Sequence, residues 1–567
     1  MKEDKPCIVQ RDGSVLLAAD SPAAEQARSE LQHFAELVKS PAAFHTYRIT
    51  SLSLWHAAAL GWTAERIVNT LQRLSKWEVP AAVADNIRKL ATRYGKLRLE
   101  QNGGDGLKLV SEDEGLLSEL LALNEMGKYG LQRIDRHTVY VPAIGRGMLK
   151  QELTRLGYPV IDVAGFHQGS GMSFSLGGRK GRLELRDYQA EAVQAFEGND
   201  GMGGSGVLVL PCGAGKTVIG MAVMERLQCE VLILTSNTTS VRQWIEELKD
   251  KTDIPESCIG EYSGQKKQVR PVTTATYQIL THRRSKEGEF EHMKLLSERN
   301  WGLIVYDEVH LLPAPVFRAT ADIQATRRLG LTATLVREDG AEQDVFSLIG
   351  PKRYEMPWKV LEQQGWIAKV ECVEMRILMT SPLKEKYSLA EGKQRYRLAA
   401  ENPAKLEAVR SLLRRHEGKP ALVIGQYLDQ LRHVARELKA PLITGSMPQS
   451  ERVRLFEAFR RGEISTIVVS KVANFAVDLP DAAVAVEISG SFGSRQEEAQ
   501  RLGRILRPKS GENTAFFYTL VTENSKETEF AAKRQLFLIE QGYEYRLIGP
   551  DRIPELAETD KPVKREA

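Results

Sequence analysis

Apolar and polar positions change rhythm along the chain. Over residues 1–101, short alternating runs mix with helical periods. CIVQRDGSVLL reads as two short strands around Asp12-Gly13, a hairpin signal. Ser21-Pro22 predicts a helix start, with Ser21 as N-cap and Pro22 at the first position. Three more helical periods follow in SLSLWHAAAL, TAERIVNTLQRL and PAAVADNIRKLATRYG. The strand-like KLRLE closes this block, and the Gly-rich stretch at 102–106 reads as a linker. Residues 102–180 form a second small block. LLSELLALNEM and GMLKQELTRLG read as its helices, TVYVPA as a strand, and GSGMSFSLGGRKG as a flexible exit.

From 181 onward, short apolar runs alternate with amphipathic helices. GVLVL, VLILTS, GLIVYDE and RLGLTA come first; ALVIGQ, TIVVSK, VAVEIS and TAFFYTLV repeat the pattern later. Alternating strand and helix signals predict parallel sheets covered by helices. The fold class is therefore α/β, with two parallel-sheet lobes at 181–355 and 356–549 behind two small N-terminal domains. The join falls near 350–365. The Pro-, Lys- and Glu-rich stretch at 550–567 predicts a disordered tail.

Composition changes this picture little. The 567 residues are 42% hydrophobic and 27% charged, an ordinary soluble balance with material for more than one core. No stretch reaches the ~18 uninterrupted apolar residues of a membrane span, and MKEDKPCIVQRDG lacks the apolar core of a signal peptide. The expectation is a cytoplasmic protein without a membrane partner. Five scattered cysteines without a C-x-x-C pair argue against structural zinc or a disulfide framework. With 78 basic against 74 acidic residues, net charge alone says nothing about nucleic acid.

Local chemistry is more informative. LPCGAGKT at 210–217 lies between the strand GVLVL and the helix VIGMAVMERL. Consecutive backbone N–H groups and a helix N-terminus there suit the phosphates of ATP. Gly213 and Gly215 permit the close turn around Ala214. Lys216 is placed to reach the β- and γ-phosphates, and Thr217 to hold Mg²⁺. The strict G-x-x-x-x-G-K-[ST] pattern fails at Leu210, so a Gly-rich turn with an incidental lysine is the plain alternative. WGLIVYDEVH sets Asp307 and Glu308 at the end of an apolar strand, where adjacent carboxylates are costly unless paired with cations. Asp307 suits Mg²⁺, and Glu308 suits orienting and deprotonating an attacking water. The plain alternative is a pair of acids capping the next helix.

D-E-x-H resembles motif II of superfamily 2 helicases, and the shorter A/P-x-x-G-x-G-K-T loop of those enzymes resembles 210–217. Other motifs fall in the family's order. RDYQAEAV at 186–193 resembles the Q motif, which implies nucleotide-binding roles for Arg186 and Gln189, the latter reading adenine. TSNTTSVRQW at 235–244 and TTATYQIL at 273–280 resemble first-lobe DNA-contact motifs, implicating Arg242 and Thr276. Thr332-Ala333-Thr334 resembles the S-A-T motif that links ATP to strand separation, and the resemblance implies a DNA-contact or coupling role for it and for His310 of D-E-x-H. SKVANFAVDLP at 470–480 resembles motif V, implicating Ser470 in coupling and Asp478 in nucleotide binding. QRLGRILR at 500–507 resembles motif VI. Its spacing puts Gln500, Arg504 and Arg507 on one helical face, where guanidinium groups could stabilise γ-phosphate charge across a cleft between the lobes. A solvated basic helix is the alternative.

GLTATLVREDG places Arg337-Glu338-Asp339 just after T-A-T, which resembles the R-E-D loop of XPB helicases. SGSFGSRQEEAQRLGRILRPK and AFFYTLVTENSKETEFAAKRQLFLIEQGYEY look like the XPB second lobe, and KSPAAFHTYRITSLSLWHAAALG like the family's N-terminal domain. RGMLKQELTRLGYPVIDVAG sits where the family carries a small damage-recognition-like domain. The resemblance implies two RecA-like lobes and an ATP- and Mg²⁺-dependent DNA helicase moving 3′–5′, in repair or transcription-linked remodelling. It also implies DNA, single-stranded or at duplex junctions, and a nuclease as partners. One departure stands out: Ala473-Asn474 replaces the Gly-Asp pair common in eukaryotic members, so the coupling loop need not behave alike. The compact chain looks like a bacterial or archaeal member. SPLKEKYSLAEGKQRYR at 381–397 occupies the place of a thumb-like insertion, where Lys384, Lys386, Lys393, Arg395 and Arg397 with Tyr387 and Tyr396 suit phosphate and base contact; a solvated helix face is the alternative. Rival functions are a duplex translocase that does not separate strands, an RNA helicase, and a DNA-binding scaffold with a dead ATPase.

Overall fold

A computed structural model describes the chain except residues 1–4, 41–42, 104–105, 178–180, 199–202, 284–289, 325, 336–339, 471–481, 491–493, 504, 507–512 and 551–567; the side chains at 449, 495–497 and 500 also fall outside it. The chain divides into two compact units, Met1–Leu210 with Gly215–Met356, and Pro211–Ala214 with Pro357–Ala567.

The first unit opens with strands β1 (Cys7–Val9), β2 (Ser14–Ala18), β3 (Glu36–Lys39) and β4 (Phe44–Arg48) in the antiparallel order β1-β2-β4-β3. Asp12 closes the first hairpin by accepting the Ser14 N–H at 2.9 Å. Ser21 is not the expected N-cap. Its hydroxyl accepts from Ala23 N in a turn, and the helix begins later, at Ala24–Leu31. Helices Ser51–Ala59, Ala64–Leu74 and Ala81–Ala91 follow.

Leu97–Gln101 (β5) does not close this domain. It pairs antiparallel with β6 (Gly106–Val110), Gln101 opposite Leu107. The segment read as a linker therefore joins neighbouring strands of one sheet. The reason is burial: Leu97 and Leu99 point inward beside Leu107 and Leu109. With β7 (Gln132–Arg133), β8 (Thr138–Pro142) and β9 (Val160–Asp162) the order is β7-β8-β6-β5-β9. The Gly-rich exit is also not loose where it is described. Met172, Phe174, Ser175 and Leu176 donate backbone N–H bonds to Gln228, Asp253 and Glu225, and Phe174 and Leu176 are buried.

The motor sheet of this unit contains β10 (Ser205–Val209), β11 (Val231–Thr235), β12 (Ile259–Tyr262), β13 (Val272–Thr276), β14 (Leu303–Asp307), β15 (Arg327–Thr332) and β16 (Lys352–Glu355). All pairings are parallel, in the order β12-β13-β11-β14-β15-β10-β16. Strands β10, β11 and β13 are buried throughout, as a sheet covered on both faces requires. Both accessory domains pack on this lobe. The Lys352 backbone N–H donates to His56 Nδ1 at 3.2 Å, and Phe346 meets the rings of Trp55, His56 and Tyr94. Lys150 bonds both Asp162 (2.9 Å) and Gln324 (2.8 Å).

The second unit holds a parallel sheet of β17 (Lys369–Ile377), β18 (Ala421–Gly425), β19 (Leu442–Ile443), β20 (Thr466–Ser470), β21 (Val484–Glu487), β22 (Thr514–Thr522) and β23 (Tyr545–Ile548), in the order β19-β20-β18-β21-β22-β17-β23. Its core is built from the apolar runs of β18, β20 and β21 with Val373, Met375 and Leu520.

Candidate active site

Loops at the carboxyl ends of parallel strands are where α/β sheets bind ligands. Three adjacent strands, β14, β15 and β10, end here in the motifs singled out from the sequence. β10 leads through Pro211–Gly215 into the helix Lys216–Leu227. Gly213 (φ 84°) and Gly215 (φ 77°) adopt the left-handed conformation that the turn needs. Ala214 is fully buried and donates its N–H to Pro211 O. Lys216 is the first helical residue, with Nζ 3.4 Å from Leu210 O, and Thr217 is the second.

Asp307 ends β14 and Glu308 follows it. Trp244 Nε1–H donates to Asp307 Oδ2 at 2.9 Å, and Tyr277 Oη donates to the Asp307 carbonyl at 2.8 Å. Burial, and then the Glu308 charge, push the Asp307 carboxyl upward, against the pull of the Trp244 hydrogen bond and Lys216. A carboxylate in that position gains from a cation. Glu308 adopts φ 53°, a left-handed conformation rare for a residue with a Cβ and a form of strain concentrated at functional sites. Its Oε2 is buried without a hydrogen-bond partner, 3.5 Å from His310 Nδ1. Among the described residues no cluster of three His, Cys, Asp or Glu side chains is built to hold a metal by itself. The donor set of Asp307 and Thr217 fits Mg²⁺, which uses few protein ligands and completes its shell with phosphate and water.

His310 is buried, with Nδ1 2.6 Å from Thr332 Oγ1. The Thr332 hydroxyl donates to Thr334 O (2.6 Å) and accepts from Thr334 N (3.1 Å). Its single proton is thereby committed, so His310 donates through Nδ1–H. The acidic motif and the T-A-T turn are thus joined by one short bond. On the other side, Leu210 N donates to Thr332 O at 3.0 Å, bringing the phosphate loop into register with the same threonine.

The remaining predicted residues fall differently. Arg186 caps the helix Asp187–Glu197, and Gln189 Oε1 accepts the Arg186 N–H at 3.1 Å. Gln189 Nε2 lies 2.6 Å from where a Gly215 Cβ would stand, so this side chain abuts the phosphate loop. Arg242 reaches Gln265 Oε1 at 3.0 Å on the surface. Thr276 is buried and caps the short helix Tyr277–Leu280 by accepting from Ile279 N. Arg337, Glu338, Asp339, Asp478, Arg504 and Arg507 lie outside the described residues. Trp244 and Tyr277 were not singled out from the sequence, since an aromatic at helical spacing reads as core.

In the second unit Ser470 ends β20, buried, its Oγ without a partner among the described residues. Gln500 lies on the helix Arg495–Gly503. That helix is anchored by buried ions that the sequence did not announce. Arg501 pairs with Glu487 at 2.5 Å, and Arg534 lies 2.9 Å from Glu487 and 3.5 Å from Glu498. Burial and the Glu487 charge raise the Glu498 carboxyl; on Glu487 burial is outweighed by Arg501 and Arg534, which hold it low. The segment 381–397 forms helices Ser381–Leu389 and Gly392–Ala400. Its tyrosines turn inward. Tyr387 Oη accepts from Lys526 N, Tyr396 Oη donates to Gly490 O, and both rings are buried. Lys384, Lys386 and Lys393 are exposed, Arg395 stacks on Tyr387, and Arg397 is tied to Glu401 and Asp429.

This geometry can be set beside known proteins. A profile described as the ERCC3/RAD25/XPB C-terminal helicase matches residues 361–563. One described as type III restriction enzyme, res subunit, matches 182–337, and a helicase conserved C-terminal domain profile matches 7–135. The chain is 52% identical over 542 residues to "DNA 3'-5' helicase XPB" of Mycobacterium tuberculosis, covering 96% of this chain and 97% of that protein. The chain belongs to the XPB family. A second relative of the same name, from Kineococcus radiotolerans, is 51% identical over 97% of each chain. An XPB relative from Antonospora locustae, named a general transcription and DNA repair factor IIH helicase/translocase subunit, is 35% identical over 96% of this chain and 81% of its own. Similarity to the bacterial XPB proteins thus exceeds similarity to that transcription-factor subunit. Membership also assigns the two parallel-sheet lobes as the RecA-like lobes of an XPB motor.

Proposed function

We propose that this protein is an ATP- and Mg²⁺-dependent DNA helicase that moves 3′–5′ and separates duplex strands, in DNA repair or transcription-linked remodelling. The observation that carries the reading is the convergence of three adjacent strand ends. The phosphate loop, the T-A-T turn and the acidic pair meet there, with His310 bonded to Thr332. Lys216 and the loop N–H groups bind the phosphates. Glu308, with an unpartnered buried oxygen, orients and deprotonates the attacking water. Thr217 and Asp307 would hold Mg²⁺, which when bound offsets charge on the β- and γ-phosphates. Gln500, Arg504 and Arg507 are assigned to γ-phosphate charge, and Arg186, Gln189 and Asp478 to the nucleotide, by resemblance.

DNA as substrate, and 3′–5′ polarity, rest on the names of the bacterial relatives. A nuclease acting on the opened strand and a cytoplasmic location are part of the same proposal. Among the described residues no helix is long and apolar enough to cross a membrane. Unwinding of duplexes carrying either a 3′ or a 5′ tail, with ATP, tests the reading: only the 3′-tailed substrate opens. The word translocase in the name of the Antonospora locustae relative supports a second reading, movement along duplex DNA without strand separation. Displacement of a third strand from duplex DNA, with no opening of tailed duplexes, selects it.

A further inference from the structure

We infer that Trp244 is the positioning residue that aims Asp307 at the metal, an inference resting on the proposed role of Asp307 as Mg²⁺ ligand. Trp244 lies on the helix Thr238–Lys251, outside the phosphate loop and the acidic motif, and is 2% exposed. Two contacts give it a geometric task. Its Nε1–H donates to Asp307 Oδ2 at 2.9 Å. Its six-membered ring lies over Gly220, where an added Cβ would stand 2.7 Å from Cη2. Gly220 follows Lys216 by four residues and Thr217 by three, so all three share one face of the phosphate-loop helix. One rigid ring therefore spans the helix that carries Thr217 and the carboxylate of Asp307. It sets the separation between the two proposed ligands.

The hydrogen bond also orients the carboxylate. The indole has a donor and no acceptor, so its bond to Oδ2 fixes the orientation of the carboxylate plane while lone pairs remain for a cation. The backbone of Asp307 is fixed independently, through Tyr277 Oη on its carbonyl. Trp244 thus acts on the side chain alone. Glycine at 220 follows from this arrangement, because any larger residue would drive the ring away.

Trp244→Phe keeps the buried ring and removes the donor. The test measures the dissociation constant of a fluorescent ATP analogue with Mg²⁺ and with EDTA, on the full chain. Loss of a hydrogen bond to a carboxylate predicts about tenfold less metal-dependent gain in affinity, with metal-free binding unchanged. Gly220→Ala, which displaces the ring without removing the indole, gives the same signature and serves if the Phe variant does not fold. Equal weakening with and without Mg²⁺, or no weakening, overturns the positioning role. Asp307→Asn separates this from the reading beneath it. If that variant keeps the full metal-dependent gain, the Mg²⁺ assignment of Asp307 fails. If it loses the gain while Trp244→Phe keeps it, only the role of Trp244 fails.

Discussion

His310 Nδ1 and Thr332 Oγ1 stand 2.6 Å apart in a buried setting, so the acidic motif and the T-A-T turn form one hydrogen-bonded unit. Glu308 Oε2 lies 3.5 Å from the same nitrogen. A change of charge at the γ-phosphate therefore has a short physical path to the turn leading toward Arg337-Glu338-Asp339. His310→Ala removes one of the two donors to the Thr332 hydroxyl and leaves Thr334 N. Nucleotide binding should persist, while base pairs opened per ATP hydrolysed fall severalfold. A mutant that loses hydrolysis and unwinding in strict proportion shows that the pair is only structural.

Lys216→Ala should abolish ATP turnover, because no other cation in the loop can reach the phosphates. Glu308→Gln is isosteric and should bind ATP normally, yet hydrolyse it on the order of 10²–10⁴ more slowly. Single-turnover phosphate release, alongside nucleotide affinity, checks both. Weak binding with normal turnover in Glu308→Gln is the result that removes Glu308 from the chemistry.

Acid should loosen the N-terminal domain from the motor lobe. His56 Nδ1 accepts the Lys352 N–H, so the docked ring must be neutral. Burial, then the charge of Lys352, push it down from 6.5 to about 3. The folded value lies below the unfolded one, so the unfolded chain takes up the proton first as pH falls. The contribution is complete above the unfolded value and is lost downward through this window. The residue as a whole is half-buried, so roughly 1–2 kcal/mol should be lost by about pH 5. Melting temperatures across that range, for the native chain and His56→Gln, should show a shallower acid slope in the variant.

Arg337, Glu338 and Asp339 follow the T-A-T turn within a few residues. A run of mixed charge is a poor phosphate clamp, since the two acids repel the DNA backbone. We propose that it works as a wedge, in which Arg337 would hold one strand and the acids would turn the other aside. Triple replacement by Ala should preserve ATP hydrolysis and most DNA binding while strand separation is lost. Unwinding of a 3′-tailed duplex at the native rate would falsify the wedge.

Much of the motor was readable because its signals are local. GVLVL followed by GAGKT specifies strand, turn and helix within a few residues, and D-E at the end of LIVY marks a strand end with costly charges. Other features were hidden. β13 reads VTTAT, so counting apolar runs does not give it the weight of its neighbours, although Thr273 and Thr274 are fully buried. The strand KLRLE reads as the end of the first domain yet joins the second sheet, because one strand does not reveal which sheet will receive its leucines. The tyrosines at 387 and 396 sit in a basic segment that looks like a nucleic-acid surface, yet they face inward.

The sequence by itself determined the strand–helix rhythm of both lobes, the phosphate loop, the acidic pair and the family to which they belong. Each depends on residues within a few positions of one another, where backbone geometry leaves few choices. Tertiary structure decided the partners: Trp244 on Asp307, His310 on Thr332, and Arg501 and Arg534 around Glu487. These bonds join residues far apart in the chain, and their formation depends on strand order and helix packing. A parallel sheet sets both through crossovers that no local pattern encodes.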